Sequence, residues 1–209
     1  MPNTDTFTLP TPRGMARLRV DRAEGVTNGV ALMFHGAGGD TDSKVIVAVR
    51  DALLADGWAV ARLDQPYVVA GRRAPAPAPH LDEVALLAAE RVRGDGPLLL
   101  AGKSSGARVA CRTATAAGAW GVVALGFPLH PPGRPEKSRA EELRNAGVPV
   151  LVLQGSRDAF GTPAEVRAAV GRKRGIVLRE VAGGDHSYAR ADLGAVAARA
   201  AEWARQART

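Results

Sequence analysis

From residue 30 onward, short runs of apolar residues alternate with longer stretches in which apolar positions recur every three or four residues. The short runs have the length and composition of β strands, and the longer stretches have the period of amphipathic helices. Strands that alternate with helices pair in parallel, because each helix carries the chain back across the sheet. The pattern therefore predicts an α/β fold, with a mostly parallel twisted sheet and helices on both faces.

Six strands are predicted inside this pattern, and a seventh run before it predicts an additional edge strand at residues 16–20. The six lie at 30–34, 59–63, 98–101, 122–125, 150–153 and 176–181. Helices are predicted near 43–55, 81–93, 105–117, 138–146, 163–172 and 191–207. Thr162 and Ser138 each stand three residues before a glutamate, which predicts a capping box at the start of two helices.

The chain has 209 residues and no break in composition, so we expect one domain, with residues 1–14 as a poorly ordered N-terminal segment. Its apolar runs are far shorter than the ~20 residues of a membrane helix. The N-terminus has neither a basic start nor a long apolar run, so we expect a cytoplasmic protein rather than a secreted one. The single cysteine, Cys111, excludes an internal disulfide and a Cys-based zinc site.

The strongest chemical signal is the sequence LLLAGKSSG at residues 98–106, an apolar strand that runs into Gly-x-Ser-x-Gly and then a helix. This pattern is typical of a nucleophile elbow, in which a sharp turn projects a serine, here Ser104, off the sheet. The tripeptide Gly102-Lys103-Ser104 also matches the last residues of a phosphate-binding loop motif. That loop needs a glycine five positions before Gly102, where this chain has Pro97, so we reject this alternative.

A serine becomes a nucleophile when a histidine accepts its proton and a carboxylate orients the histidine. Asp158 and His186 follow Ser104 in the order that this arrangement uses, each just past a predicted strand. All three residues should therefore meet at the carboxyl edge of the sheet. Asp185, beside the histidine, is interpreted as a solvated loop carboxylate.

Residues 35–39, His-Gly-Ala-Gly-Gly, follow the strand at 30–34 and form a flexible turn. We expect the backbone N–H of Ala37, with that of Ser105, to form an oxyanion hole. His35 is interpreted as a loop-bracing side chain rather than a second base. The Ala-Pro repeat at 74–79 predicts a stiff extended loop, interpreted as a connector, with a border of the substrate site as the alternative.

The segments HGAGG, LLLAGKSSGARVA, FPLHPPGRPEK and QGSRDAFGT together closely resemble the KANL3/Tex30-like branch of the α/β-hydrolase superfamily, which is related to dienelactone hydrolases. The resemblance covers residues 30–190. It implies the α/β-hydrolase fold, a Ser104, Asp158 and His186 triad and an esterase-like activity. The elbow of this branch commonly reads Gly-Lys-Ser-Met-Gly, whereas this chain has Ser105 at the fourth position. Residues 128–136 are too short for a large cap domain.

These observations favour a serine hydrolase that cleaves a small acyl ester or thioester and needs no cofactor or metal. Dienelactone hydrolases proper use a cysteine nucleophile, so lactone specificity is not carried over. A non-catalytic scaffold with the same fold and an acyltransferase with the same triad are the alternatives. The net charge of +7 raises nucleic-acid binding as a third hypothesis, which ranks last because aromatic residues are few and not interleaved with basic ones.

Overall fold

In the computed structural model, residues 3–22 and 27–208 are described, and their strands form one eight-stranded sheet in the order β1-β2-β4-β3-β5-β6-β7-β8. Strands β3 to β8 are parallel to one another, and the β1–β2 hairpin joins β4 antiparallel. The strands are β1 Asn3–Thr11, β2 Gly14–Arg22, β3 Val30–Phe34, β4 Ala59–Asp64, β5 Leu98–Lys103, β6 Gly121–Leu125, β7 Val150–Gly155 and β8 Ile176–Val181.

Helices cover both faces of this sheet. They are α1 Lys44–Ala55, α2 Pro66–Val69, α3 Ala78–Val92, α4 Ser105–Thr113, α5 Ala140–Arg144, α6 Pro163–Val170 and α7 Leu193–Ala204, with 3₁₀ turns at Pro135–Lys137 and Arg205–Arg208. Side chains alternate along each strand, so Leu98 and Leu100 of β5 pack with α3 and α4, whereas Leu99 and Ala101 pack with α1 and α7. The predicted α/β architecture with both faces covered is confirmed.

The central strands lie where the sequence predicts them, but the N-terminal edge differs. The expectation of a poorly ordered segment at 1–14 is wrong for Asn3–Thr11, which forms β1, while residues 1–2 lie outside the described part. Phe7 and Leu9 alternate with threonines and pack against the core, a period-two signal that the sequence reading missed. Because β1 takes the outer position, the strand predicted at 16–20 is not the edge of the sheet.

Only one of the two predicted capping boxes forms. The Thr162 hydroxyl accepts the N–H of Glu165, whose carboxylate accepts the N–H of Thr162, so the box at α6 is confirmed. The box at Ser138 is wrong, because the N-cap of α5 is Arg139. The backbone N–H of Arg139 donates to Leu129 O at 2.7 Å, which ties the start of the helix to the segment after β6.

In α3 and α4 one boundary lies three or four residues from the predicted position, and one short helix was not predicted. Helix α4 ends at Thr113 rather than near 117, α3 begins at Ala78 rather than 81, and the short α2 was not predicted. The early start of α3 places Pro79 in the first helical turn, where the missing N–H of proline costs no hydrogen bond.

Between β6 and α5 the chain has only a short connection, so no large cap domain covers the carboxyl edge of the sheet. Within the described ranges, no helix is long and apolar enough to cross a membrane.

Candidate active site

Ser104 lies at the sharp turn between β5 and α4, and its backbone has φ 53° and ψ −116°. A positive φ is rare for a residue with a side chain and stores strain at this position. The turn is held by neighbouring backbone, since the N–H of Ser104 donates to Leu125 O at 2.9 Å. The side chain is thereby carried off the carboxyl end of the central strand.

The two glycines of the motif allow the strand and helix to approach each other. A Cβ at Gly102 would lie 2.3 Å from the carbonyl carbon and oxygen of Gly106, and a Cβ at Gly106 would lie 2.4 Å from Phe34 O. Both distances are far inside van der Waals contact, and the opposing atoms are backbone. The elbow therefore requires glycine at both positions.

We expect Gly106→Ala to lower the free energy of unfolding by about 3 kcal/mol, because the added methyl group must displace the backbone at the end of β3. Urea unfolding of the variant against the native protein measures this loss. Gly94→Ala is the matched control, since its Cβ would meet only Val30 Cγ2 at 3.9 Å. An unfolding midpoint for Gly106→Ala equal to that of the control would contradict the steric argument.

The three residues of the candidate triad meet at the carboxyl edge. The Nε2 atom of His186 lies 2.8 Å from Ser104 Oγ, across 82 residues of sequence. The Nδ1 atom of His186 lies 3.0 and 2.9 Å from the two carboxylate oxygens of Asp158. This chain of contacts is the arrangement in which a histidine can accept a hydroxyl proton while a carboxylate holds its tautomer.

Asp158 is buried, with 1% of its surface exposed, and each of its oxygens has a second partner. Oδ1 accepts the N–H of Phe160 at 2.8 Å, and Oδ2 accepts Nε2–H of Gln154 at 3.0 Å. Gln154, at the end of β7, is itself fixed by donating to Gly161 O at 2.7 Å. These contacts hold the carboxylate toward the histidine ring.

Sequence reasoning missed two residues that shape this part of the site, Gln154 and Phe160. The ring of Phe160 stacks on the His186 ring at 4.1 Å between centroids and 28° between planes. Phe160 lies two residues after Asp158, inside the QGSRDAFGT segment, so its position was visible although its role was not.

The turn that carries His186 is organised by its neighbour Asp185. Oδ1 of Asp185 accepts the Ser187 hydroxyl at 2.7 Å and the N–H groups of Ser187 and Ala189 at 2.9 and 3.2 Å. The hydrogen bonds from Ser187 and Ala189 lower the pKa of the Asp185 carboxyl. Asp185 therefore shapes the loop, and its carboxylate is not among the hydrogen-bond partners of His186.

The glycine-rich segment after β3 approaches Ser104 closely at Gly36. A Cβ at Gly36 would lie 3.5 Å from both Ser104 Cβ and Lys103 O, so Gly36 packs closely against the elbow. Ser105 is the first residue of α4, so its N–H has no carbonyl one helical turn back to accept it. The Ser105 N–H is therefore available beside Ser104, and the oxyanion hole formed with Ala37 stays a prediction.

His35 braces this segment. Its Nε2 accepts the N–H of Gln65 at 3.1 Å, and its Nδ1–H donates to Gly36 O at 2.8 Å, so the ring is neutral. Burial lowers the pKa of His35, which keeps the ring in this form. The histidine contacts none of the triad through these bonds and matches its interpretation as a bracing side chain.

The loop that contains the Ala-Pro repeat lines a cleft of ≈ 710 Å³ at the same edge of the sheet. Its apolar wall is formed by Met15, Tyr67, Val69, Pro75, Pro77 and Val84. Arg73 O lies 3.7 Å from the position of a Cβ on Gly38, so this loop adjoins the glycine-rich segment. The triad itself lines neither this cleft nor a groove of ≈ 720 Å³ between the end of β1 and α3.

The remaining candidate groups do not form a second site. Cys111 is fully buried in the core, and burial raises the pKa of its thiol to about 12. His130 contacts Pro131 O at 2.9 Å and lies 3.5 Å from Glu165. Among the residues described, no group of three or more His, Cys, Asp or Glu side chains is placed to hold a metal ion.

Residues 27–207 match the family model described as "Alpha/beta hydrolase domain", and the chain belongs to this family. No functionally curated protein matches it at a significant level.

Several solved structures share the fold at low sequence identity. A lidless α/β serine hydrolase from Xanthomonas campestris has a TM-score of 0.78 and 23% identity, covering 98% of this chain and 94% of that one. Est1E from Butyrivibrio proteoclasticus has a TM-score of 0.79 and 17% identity, covering 97% and 98%. Dienelactone hydrolase from Anabaena variabilis has a TM-score of 0.78 and 19% identity, covering 98% of each chain. The fold and family therefore support hydrolase activity.

Proposed function

We propose that this protein is a serine hydrolase that cleaves a small acyl ester or thioester through an acyl-enzyme on Ser104. The observation that carries the proposal is the 2.8 Å contact between Ser104 Oγ and His186 Nε2, at a residue held in a strained elbow. Asp158 orients His186 by accepting its Nδ1–H, which leaves Nε2 free to accept a proton.

The proposed reaction has two stages. Nε2 of His186 takes the Ser104 proton while Oγ attacks the substrate carbonyl, and the backbone N–H groups of Ala37 and Ser105 stabilise the resulting oxyanion. The imidazolium then gives its proton to the leaving alcohol or thiol, and the acyl group remains on Ser104. In the second stage His186 activates a water molecule that releases the carboxylic acid. Neither stage requires a metal or an organic cofactor.

Family membership and the lidless neighbour support an open site for small or flexible substrates. We also propose that the chain is a single domain in the cytoplasm and that it lies in the KANL3/Tex30-like branch. The alternatives of a scaffold, an acyltransferase and a nucleic-acid-binding protein gain no specific support from the site geometry.

The test is a panel of 4-nitrophenyl esters from acetate to octanoate, with acetyl and butyryl thioesters, assayed with the native protein. We expect turnover of at least the short members, since an open site imposes little selection on the acyl group. A folded protein that turned over no member of the panel would contradict the proposal and favour the scaffold alternative.

We further propose that the cleft beside the glycine-rich segment receives the non-reacting part of longer substrates. Val69 and Met15, with 40% and 53% exposure, both line it and offer apolar surface. A related observation is that Est1E, a protein of the same fold, has been seen with ferulic acid bound.

We expect Val69→Arg to reduce kcat/KM for octanoyl esters about tenfold, because roughly two methylene groups lose apolar contact at ~0.8 kcal/mol each. Activity on the acetyl ester, which lacks these methylene groups, should stay unchanged. Val69→Ile keeps the wall apolar and is the control. An equal loss on both esters would contradict a role in binding the acyl chain.

A further inference from the structure

Two consecutive residues at the end of β4, Asp64 and Gln65, form hydrogen bonds with the two ends of the glycine-rich segment that carries Ala37. At the near end, the N–H of Gln65 donates to His35 Nε2 at 3.1 Å. At the far end, Asp64 accepts the N–H of Thr41 at 3.2 Å and its hydroxyl at 2.8 Å, both on Oδ1. The stretch between these anchors contains Gly36, Gly38 and Gly39, and glycine can adopt more backbone conformations than any other residue.

Asp64 is a rigid anchor because it is held from the opposite side. Its Oδ2 accepts Nε and Nη2 of Arg17 at 2.9 and 2.8 Å and Nη2 of Arg19 at 3.2 Å. The carboxylate is fully buried. Burial acts to raise the pKa of Asp64, but the hydrogen bonds from Arg17 and Thr41 and the charge of Arg19 outweigh it and lower the pKa. The anchor is therefore ionised at neutral pH.

Thr41 connects this anchor to the segment. It is fully buried, and its hydroxyl donates to Asp64 while accepting Nη2 of Arg19 at 2.7 Å. The next residue, Asp42, accepts Nη1 of Arg19 at 2.7 Å and Nη1 of Arg62 at 2.6 Å. Arg17, Arg19 and Arg62 lie on the sheet face opposite Leu18 and Leu63, so β2 and β4 present them together to this turn.

We propose that Thr41 and Asp64 are positioning residues for catalysis, which fix the segment that presents the Ala37 N–H to the substrate oxygen above Ser104. The inference rests on the proposed function. It assigns a role to residues that act through the segment and not by contact with the substrate. Hydrogen-bond donors stabilise an oxyanion only when they are held at the place where its charge develops. A displacement of 1 Å in such a group can cost about 10²-fold in rate.

If the contact between Thr41 and Asp64 were merely structural, its loss would lower the stability of the protein and leave the kinetics of the folded enzyme unchanged. If the contact positions the segment, its loss lowers kcat with little change in KM, because the oxyanion forms only in the transition state. Thr41→Val separates these cases, since it keeps the shape of the side chain and removes the hydroxyl. Thr41→Ser restores the hydroxyl and should restore the rate. Val49→Ala, in the buried core face of α1, loses stability without touching the segment.

The experiment measures kcat and KM for 4-nitrophenyl acetate, together with hydrogen exchange of the Gly38 and Gly39 amides, in the full-length native protein and these three variants. We expect Thr41→Val to lower kcat about 10- to 100-fold with KM within about threefold, and to speed exchange at both glycines. We expect Thr41→Ser and Val49→Ala to keep kcat within about threefold of native.

An active native protein whose Thr41→Val variant kept its kcat, or whose Val49→Ala variant lost as much, would overturn this inference and leave the proposed function standing. A native protein that hydrolysed no ester in the panel would instead contradict the proposed function, and the positioning role with it.

Discussion

Replacing Ser104 with alanine is expected to lower kcat/KM for 4-nitrophenyl acetate about 10⁵-fold or more, because the nucleophile is lost and no acyl-enzyme can form. The fold should be retained, since alanine has the same Cβ as serine and tolerates the positive φ at this turn equally well. Initial-rate kinetics with active-site burst analysis measure the loss, and circular dichroism confirms that the variant is folded.

Ser138→Ala is the matched control for this experiment. Ser138 is an exposed serine beyond β6, and its hydroxyl only accepts the N–H of Ala140 at 3.3 Å. We expect its kcat/KM to stay within about twofold of the native value, as for most surface substitutions. Residual activity of Ser104→Ala within tenfold of this control would mean that another group carries the hydrolysis.

Replacing Asp158 with asparagine is expected to lower kcat about 10⁴-fold while leaving KM nearly unchanged. The asparagine amide would face His186 Nδ1 with an N–H, which forces the histidine proton onto Nε2. In that tautomer His186 cannot accept the proton of Ser104. Because both oxygens of Asp158 also accept neighbouring N–H groups, one of those donors loses its partner, and we expect a stability loss of about 1–3 kcal/mol.

Asp185→Asn is the control for the second experiment because it removes a carboxylate charge next to the same histidine. The hydroxyl and N–H groups that Asp185 accepts all bond to Oδ1, which asparagine retains. We expect this variant to keep kcat within about threefold of native. Equal losses in the two variants would show that general electrostatics, rather than the Asp158 contact, supports His186.

The placement of the triad could be predicted from sequence because it depends on local pattern and topology. Ser104, Asp158 and His186 each follow an apolar run, and parallel strands bring their carboxyl ends to one edge. The signal at Ser104 is the strongest, since the flanking glycines that mark it in the sequence are required by close backbone contacts in the structure. What the pattern could not give is the hydrogen-bond geometry, which depends on side-chain packing around Asp158.

The parts that the sequence did not reveal depend on tertiary hydrogen bonds rather than on a local sequence pattern. Thr41 and Asp64 are 23 residues apart and lie in different elements, so neither stands in a recognisable motif. Gln154 has the sequence context of an ordinary strand residue. Its hydrogen bonds to Asp158 Oδ2 and Gly161 O are seen only in the structure. The capping box at Ser138 was predicted wrongly, since α5 has Arg139 at its N-cap and the Arg139 N–H donates to Leu129 O.

The structure pairs several of the arginines that contribute to the positive charge of the chain. Arg17, Arg19 and Arg62, on β2 and β4, are ion-paired with aspartates of these strands and of the turn before α1. Arg108 and Arg112 pair with Glu142, and Arg112 also pairs with Asp82. These five of the 24 arginines therefore serve ion pairs within the fold.

The most direct test of the central claim is labelling by a fluorophosphonate probe, which reacts with an activated serine whatever the natural substrate. We expect strong labelling of the native protein that is lost in both Ser104→Ala and His186→Ala. Labelling that persisted in folded His186→Ala at the native rate, or a folded native protein that stayed unlabelled, would contradict the claim that His186 activates Ser104.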